Sequence, residues 1–591
     1  MPIYKAPVEE TMFVLNSVLH VDRYNNIPGF AEATPDILRA VLGEAAKFCE
    51  DVLTPLNRVG DTAGCRRNAD GSVTTPPGFK DAYDKLVAGG WVGASAPVEF
   101  GGQGLPLLLT VAVREYMYSA NIAFTMYSSL ALGAVTAIHT HGSEEQKARF
   151  LPKLISGEWA GTMNLTEPHC GTDLGQLRCR AAPQPDGSYK ITGTKIFISG
   201  GEHDLTNNII HLVLARIDGA PAGTRGISLF IVPKILLNED GAPGARNAVS
   251  CGSIEEKMGI HGNATCVMNY DGGTGWLVGE ANRGLNAMFT MMNAARLSVG
   301  LQGLSLSEVA YQNAVAYAKE RLSGRAAGGA KFPEQPADPI IVHPDVRRML
   351  MTMRAFNEAA RALVLWTALR GDIARRSADA GEREAGEDHM GLLTPVIKGA
   401  LTELGFNNTV LAQQIFGGHG YIAEHGMEQF VRDARISMIY EGANGIQALD
   451  LVGRKLPKDG GRALQAFFVE VSAFMDKHHT AMPSDFIAPL RAAADDLRSA
   501  TQWLMRNAPG RPDNAGAGAS DYLQLFGLVA LGYMWCLIVA AARAEGASAG
   551  TDEKVIVGRF FMERMLPATA THLARIKAGA DSTMALPVAA F

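Results

Sequence analysis

The chain has no Cys-x-x-Cys pair. Its seven cysteines, Cys49, Cys65, Cys170, Cys179, Cys251, Cys266 and Cys536, are odd in number and scattered over 591 residues. That pattern argues against a disulfide framework and against a zinc site, and it fits a reducing, cytoplasmic setting. There is no basic surplus. The formal net charge is −6, whereas a nucleic-acid binder would show a basic excess or stripe. The N-terminus lacks the basic start and apolar stretch of a signal peptide. No internal repeat is visible. Uncharged apolar runs are scarce, and one, Leu525 to Ala542, meets the lower limit for a membrane span. Its small residues, Gly527, Ala530, Gly532 and Ala540 to Ala542, suit close helix packing. A buried bundle helix is therefore expected there, and no membrane span.

Hydrophobic residues make up 47% of the chain and charged ones 19%, which suits a soluble protein with several domains. Residues 1–34 read as an irregular arm. Thr34-Pro35-Asp36 then opens a helix, with Thr34 as cap and Pro35 at the first helical position. Helical spacing dominates the segment 35–160, broken by the turn-rich Glu99 to Gly104. Between 161 and 280 the texture is β-rich. Tyr189 to Thr192 and Lys195 to Ile198 read as two short strands around Gly193, and Ile209 to Ile217 and Ile227 to Val232 as further strands. Helical periodicity returns over 281–455. Asp379 to Asp388 reads as a polar loop or helix end, and Lys458 to Gly461 as a boundary. The segment 456–591 reads as an additional helical domain with a Gly/Ala-rich linker from Asn514 to Ala519.

Helices, then strands, then helices make an α+β protein rather than an alternating βαβ one. A Rossmann site needs a strand, a Gly-rich turn and a helix in succession. Neither Gly101 to Gly104 nor Gly417 to Gly420 meets that order. Any nucleotide cofactor is bound in another way.

Five segments point to one family. They are Gly142-Ser143-Glu144-Glu145-Gln146-Lys147, Thr166-Glu167-Pro168-His169-Cys170-Gly171-Thr172-Asp173, Lys195-Ile196-Phe197-Ile198-Ser199, Gln414 to Tyr421, and Arg432 to Gly442. In this order they resemble the motifs of the acyl-CoA dehydrogenases over about residues 35–455. The resemblance implies an N-terminal helical domain, a middle β-barrel-like domain and a C-terminal helical bundle. It also implies α,β-desaturation of an acyl-CoA thioester. Such a reaction needs a base for the α-proton and a hydride acceptor facing it, and no side chain can accept hydride.

By resemblance the base is Glu441 and the cofactor is FAD. Alone, Glu441 beside Gly442 reads as a helix-end glutamate. Met163, Leu165, Thr166, Phe197 and Ser199 match flavin-ring contacts, although Phe197 also reads as ordinary strand packing. Thr172 matches a contact to FAD phosphate or to CoA. Arg321 matches the arginine that pairs with the diphosphate, and its fork suits two phosphate oxygens. Gln414, Gly417 and Gly418 match adenosine-diphosphate contacts made by a neighbouring subunit, which implies a homodimer or homotetramer. Arg296, Tyr440 and Gly442 match substrate contacts. Cys170 reads as a packed thiol, and no metal is expected. Electron-transfer flavoprotein is the implied electron acceptor.

Two features depart from the usual pattern. Ala443 stands where a hydroxyl residue normally follows the glycine, and the Arg321 segment lacks the common Phe-Gly pair. The length, the Tyr440-Glu441-Gly442-Ala443-Asn444-Gly445-Ile446-Gln447 segment and the C-terminal extension resemble a longer subgroup, which includes the 3-methylmercaptopropionyl-CoA dehydrogenases. The implied reaction is 3-methylthiopropionyl-CoA to methylthioacryloyl-CoA in dimethylsulfoniopropionate breakdown. Alternatives are medium- or long-chain fatty acyl-CoA dehydrogenation, an acyl-CoA oxidase, and a DNA-protective non-enzymatic relative. Membrane association through the extension is a further rival.

Overall fold

The computed structural model describes residues 2–546 and 548–591. The chain divides into two compact units. One comprises residues 47–105 and 120–295; the other comprises 1–46, 106–119 and 296–591.

Strands dominate the first unit. Among the described residues seven strands form its main sheet. Five of them close a ring. Thr265–Val278 pairs with Tyr189–Ser199, which pairs with Arg180–Pro183; that strand meets Asn208–Ile217, then Ile227–Pro233, which returns to Thr265–Val278. Val249–Ile254 and Trp159–Asn164 extend the ring from outside. The barrel-like expectation holds. Asn208–Ile217 is buried along nearly its whole length, as its largely apolar sequence, interrupted by His211, requires of a strand covered on both faces. The two short strands expected around Gly193 are one strand of 11 residues. It runs through that glycine, whose φ is +147°.

Helices make up the second unit. Pro344–Arg376 and Pro512–Ala544 are its long buried members. The uncharged run lies within the second of these, which packs against Ser484–Asn507, Ala549–Arg564 and Ala568–Ala578 as well as Pro344–Arg376. Trp535, fully buried, donates its indole N–H to the Ala355 carbonyl at 2.9 Å. Two helices, Leu107–His141 and Pro512–Ala544, are long and apolar enough to cross a membrane by length and composition. The first is broken at Asn121, whose backbone is non-helical. The second is 83% buried over its most apolar window, which is the signature of a bundle core.

Two expectations fail here, and a third resolves to one of its alternatives. The arm of residues 1–34 is not irregular: it contains the helix Val8–Phe13, a π-turn at Val14–Val18 and a 3-10 turn at Val21–Tyr24. Residue 1 lies outside the described residues. The polar stretch 379–388, expected as a loop or a helix end, is a helix end. Asp379 caps the helix Ala380–Val396 by accepting from the Glu382 N–H at 2.8 Å; Glu382, Glu384 and Glu387 are its solvated face, and Asp388 is buried against Arg462. The Gly/Ala-rich segment 514–519 is no linker but the first turns of Pro512–Ala544.

Candidate active site

Glu441 sits in a turn between a 3-10 turn, Ile436–Met438, and the helix Asn444–Asp450. Its φ is +57°, a left-handed backbone that costs an ordinary residue roughly 1–2 kcal/mol. Neighbours hold it there. Gln447 donates its amide to the Glu441 and Gly442 carbonyls at 3.2 and 3.3 Å, and Arg296 Nε lies 3.4 Å from the Glu441 carbonyl. The Tyr440 hydroxyl donates to Gln302 Oε1. Removal from water pushes the Glu441 carboxyl up to about 7, against the opposing pull of Arg296 and Lys398. A carboxyl so placed exchanges its proton near neutrality, which is what a general base requires. Burial in turn pulls the Arg296 guanidinium down, offset by Asp450 and Glu441.

Lys398 has no counterpart in the sequence reading. It lies within the π-turn Ile397–Leu401 and is fully buried. Its ammonium donates to Asn444 Oδ1 at 2.9 Å. Burial lowers it to about 7, with Glu441 acting to raise it and Arg296 to lower it. The helix Gly284–Glu320, which carries Arg296 and Gln302, comes close to this region through small residues. A Cβ on Gly303 would stand 2.3 Å from the Leu401 carbonyl oxygen.

The strand-rich unit gathers a second set. Met163 is buried in Trp159–Asn164, and Leu165 and Thr166 follow it, half-buried. The Ile196 N–H donates to the Thr166 carbonyl at 2.9 Å, and Thr162 Oγ1 donates to the Ser199 carbonyl at 2.7 Å. Beneath them Lys195, fully buried, donates to the Leu165 carbonyl at 2.9 Å and to Glu167 Oε1 at 2.8 Å. Glu167 also accepts from the backbone N–H groups of Arg178 and Cys179, at 2.7 and 3.0 Å. The two motifs are thus tied by one buried ion pair.

Phe197 is not ordinary strand packing. Cys266 faces Ile198 while Met268 faces Lys195, so the strand bulges at Ile196 and Phe197. Phe197 takes φ +58° and is 60% exposed. A bulge re-aims a side chain, and here it turns an aromatic ring outward beside Thr166 and Ser199. Neither hydroxyl has a hydrogen-bond partner among the described residues. A planar, partly polar ring fits such a face. Thr172 is exposed on the following loop.

Arg321 ends the helix Gly284–Glu320, is exposed, and makes no ion pair among the described residues. Gln414, Gly417 and Gly418 are exposed at the end of Thr402–Ile415. Both sets suit an anionic or nucleotide ligand by chemistry. The ligand atoms of Glu167, His169 and Cys170 lie within 4.8 Å of one another, so the thiol read as merely packed has two potential metal-ligating neighbours. The Glu167 oxygens are already engaged by Lys195 and two amides, however, which makes this cluster a structural clamp.

Residues 36–158 match the acyl-CoA dehydrogenase N-terminal domain, 162–272 its middle domain and 282–456 its C-terminal domain. Residues 467–587 match a family described as acetyl-CoA dehydrogenase C-terminal like. A 3-methylmercaptopropionyl-CoA dehydrogenase from Ruegeria pomeroyi is 42% identical, over 98% of this chain and 99% of its own. The chain belongs to the acyl-CoA dehydrogenase family.

A broad-specificity linear acyl-CoA dehydrogenase from Mycobacterium tuberculosis is 33% identical over the full length of both chains. An acyl-CoA dehydrogenase from Bacillus anthracis, solved in complex with FAD, shares the fold with a TM-score of 0.73 at 21% identity, covering 93% of this chain and 89% of its own. As an acyl-CoA dehydrogenase the chain is an oxidoreductase, and its cofactor is FAD. Sequence reasoning missed Lys398, Gln302, Gln447 and the Lys195–Glu167 pair as parts of this enzyme. The visible signal for Lys398 was a lone cation within the apolar run Leu392 to Leu401.

Proposed function

We propose that this acyl-CoA dehydrogenase desaturates 3-methylthiopropionyl-CoA to methylthioacryloyl-CoA, with Glu441 as the base for the α-proton. The observation that supports the base is the Glu441 turn: a desolvated carboxyl near neutrality, held in a left-handed backbone by Gln447 and flanked by two cations. The substrate rests on 42% identity over essentially the whole chain to an enzyme named for that thioester.

Flavin, when bound, supplies the acceptor for the β-hydride. Leu165, Thr166, Phe197 and Ser199 would hold its ring, with Met163 behind them. Thr172 and Arg321 would meet phosphate, and Gln414, Gly417 and Gly418 the adenosine diphosphate of a partner subunit, which makes the enzyme a homo-oligomer. Glu441 accepts the α-proton on its carboxylate. Arg296 keeps positive charge beside the carboxylate that proton transfer neutralises. Tyr440 and Gly442 line the substrate side of the turn. Electrons then pass to electron-transfer flavoprotein, and the free cysteines suit a cytoplasmic home.

The full-length relative of broad linear specificity favours a second reading, straight-chain acyl-CoA oxidation. An acyl-CoA panel of straight chains plus 3-methylthiopropionyl-CoA, assayed by dye reduction and by peroxide release, tests both. The expected result is the highest kcat/KM on the thioether with little peroxide. A higher value on any straight chain overturns the substrate, and stoichiometric peroxide overturns the acceptor.

A further inference from the structure

The C-terminal extension reaches the supports of Glu441. Pro512–Ala544 packs against both the π-turn Ile397–Leu401 and the helix Asn444–Asp450. The approach is close: a Cβ on Gly399 would stand 2.6 Å from the Leu523 methyls. Next along the helix, Gln524 Nε2 donates to Glu403 Oε2 at 2.8 Å. Glu403 in turn lies beside the Asn444 side chain.

Asn444 joins these parts. Its Oδ1 accepts from the Lys398 ammonium at 2.9 Å, and its Nδ2 donates to the Gly399 carbonyl at 3.1 Å. Thr402 Oγ1 lies 3.1 Å from that same nitrogen and donates to the Lys398 carbonyl at 2.7 Å. Asn444 begins the helix that follows the Glu441 turn. π-turns inside helices cluster at functional sites, and this one places a fully buried cation where its field reaches the Glu441 carboxyl.

We propose that Lys398 and Asn444 form a positioning pair for Glu441, braced by the C-terminal extension through Glu403 and Gln524. The inference rests on Glu441 being the base. Lys398 does not touch the reacting atoms in this scheme. It fixes the Glu441 turn through Asn444 and sets the charge that the carboxylate meets.

Other charges face the pair. From Gly284–Glu320 comes Arg296, which acts on both Glu441 and Lys398. From Asn444–Asp450 and Leu451–Lys455 come Asp450, Arg454 and Lys455, which act on Arg296 or are acted on by it. From the extension, Asp521 and His572 act on Glu403. Two cations thus reach the Glu441 turn by different routes: Arg296 directly, through the Glu441 carbonyl, and Lys398 through the Asn444 side chain.

The test uses FAD-loaded full-length enzyme carrying Lys398→Met, Lys398→Arg, Asn444→Ala or Gln524→Ala, with Glu441→Gln alongside. Three quantities are read: the pH profile of kcat, KM, and the infrared carboxyl band lost in Glu441→Gln. In Lys398→Met the Glu441 midpoint should move up by about one pH unit, because an opposite charge is removed. kcat should fall about ten- to a hundredfold with KM little changed. Lys398→Arg should restore most of the midpoint. Asn444→Ala leaves the lysine in place and should lower kcat by loosening the turn, and Gln524→Ala should do the same more weakly. If Lys398→Met does not fold, the Asn444→Ala profile decides alone. An unmoved midpoint and kcat in a folded Lys398→Met or Asn444→Ala overturns the proposal, even if melting drops. If Glu441→Gln stays active, the base assignment itself has failed, and that outcome is distinct from the first.

Discussion

At the scale of single residues, Glu441 combines two unfavourable features, a left-handed backbone and a desolvated carboxyl. Such strain persists only where surroundings impose it. Glu441→Gln keeps the shape and removes the proposed base. Turnover should fall by about two to four orders of magnitude, while flavin absorbance stays with the protein after gel filtration. In the parent enzyme kcat/KM should rise with pH through about 7, as the carboxyl, raised from 4.5, loses its proton. The linkage has a definite sign. The folded state holds this proton over a pH range where the unfolded chain has released it, so stability from this group is present below 4.5 and lost as pH rises through about 7. Glu441→Gln should therefore melt above the parent at alkaline pH and with it at acid pH, in scans across buffers.

At the scale of elements, the Thr166 and Phe197 segments share one buried ion pair, Lys195 with Glu167. Removing one partner of such a pair strands the other charge and costs about 3–5 kcal/mol. Lys195→Met should lower the melting temperature and weaken FAD retention together, read by thermal melting and by flavin release on dilution. Burial raises the Glu167 carboxyl, but Lys195 and the Arg178 and Cys179 amides outweigh it, and the net direction is down. Its stability is thus present above the ordinary glutamate value and lost as pH falls through the lower folded one. The bulge at Phe197 could not be read from Lys195-Ile196-Phe197-Ile198, whose β-branched and aromatic residues fit a plain strand. The pairing partner, Thr265–Val278, decides it through a register shift. Likewise Asn514 to Ala519 looks like a linker by composition, yet packing of the long helix overrides the weak propensity of its glycines.

At the scale of the molecule, the helical unit is tied by buried charge. Arg361 donates to Glu115 at 2.6 and 2.9 Å and to Glu308 at 3.1 Å. Lys554 joins Glu358 at 2.8 Å and also Glu10. Residues from the first helix, the core helices and the extension thus meet in one network. Arg361→Met leaves two buried carboxylates unpaired and should destabilise by about 3–5 kcal/mol, measured by denaturant unfolding, with the loss absent from a distant surface control such as Arg498→Met. The apolar helix Pro512–Ala544 faces its neighbours in this unit. Liposome co-sedimentation should therefore leave the protein in the supernatant.

The sequence by itself determined the family, the order of helical and β segments, and the glutamate on which the chemistry is proposed to turn. Short motifs and periodicity depend on local spacing, which a single chain displays directly. It also contained the lone Lys398 in an apolar run, without any sign of its partner. Only the tertiary structure decided that this cation meets Asn444 and the field of Glu441, that Phe197 turns outward, and that the extension lies against the supports of the Glu441 turn. These are contacts between residues far apart in the chain. They are set by strand register, by a π-turn and by how closely small residues let helices approach, and no local pattern encodes them.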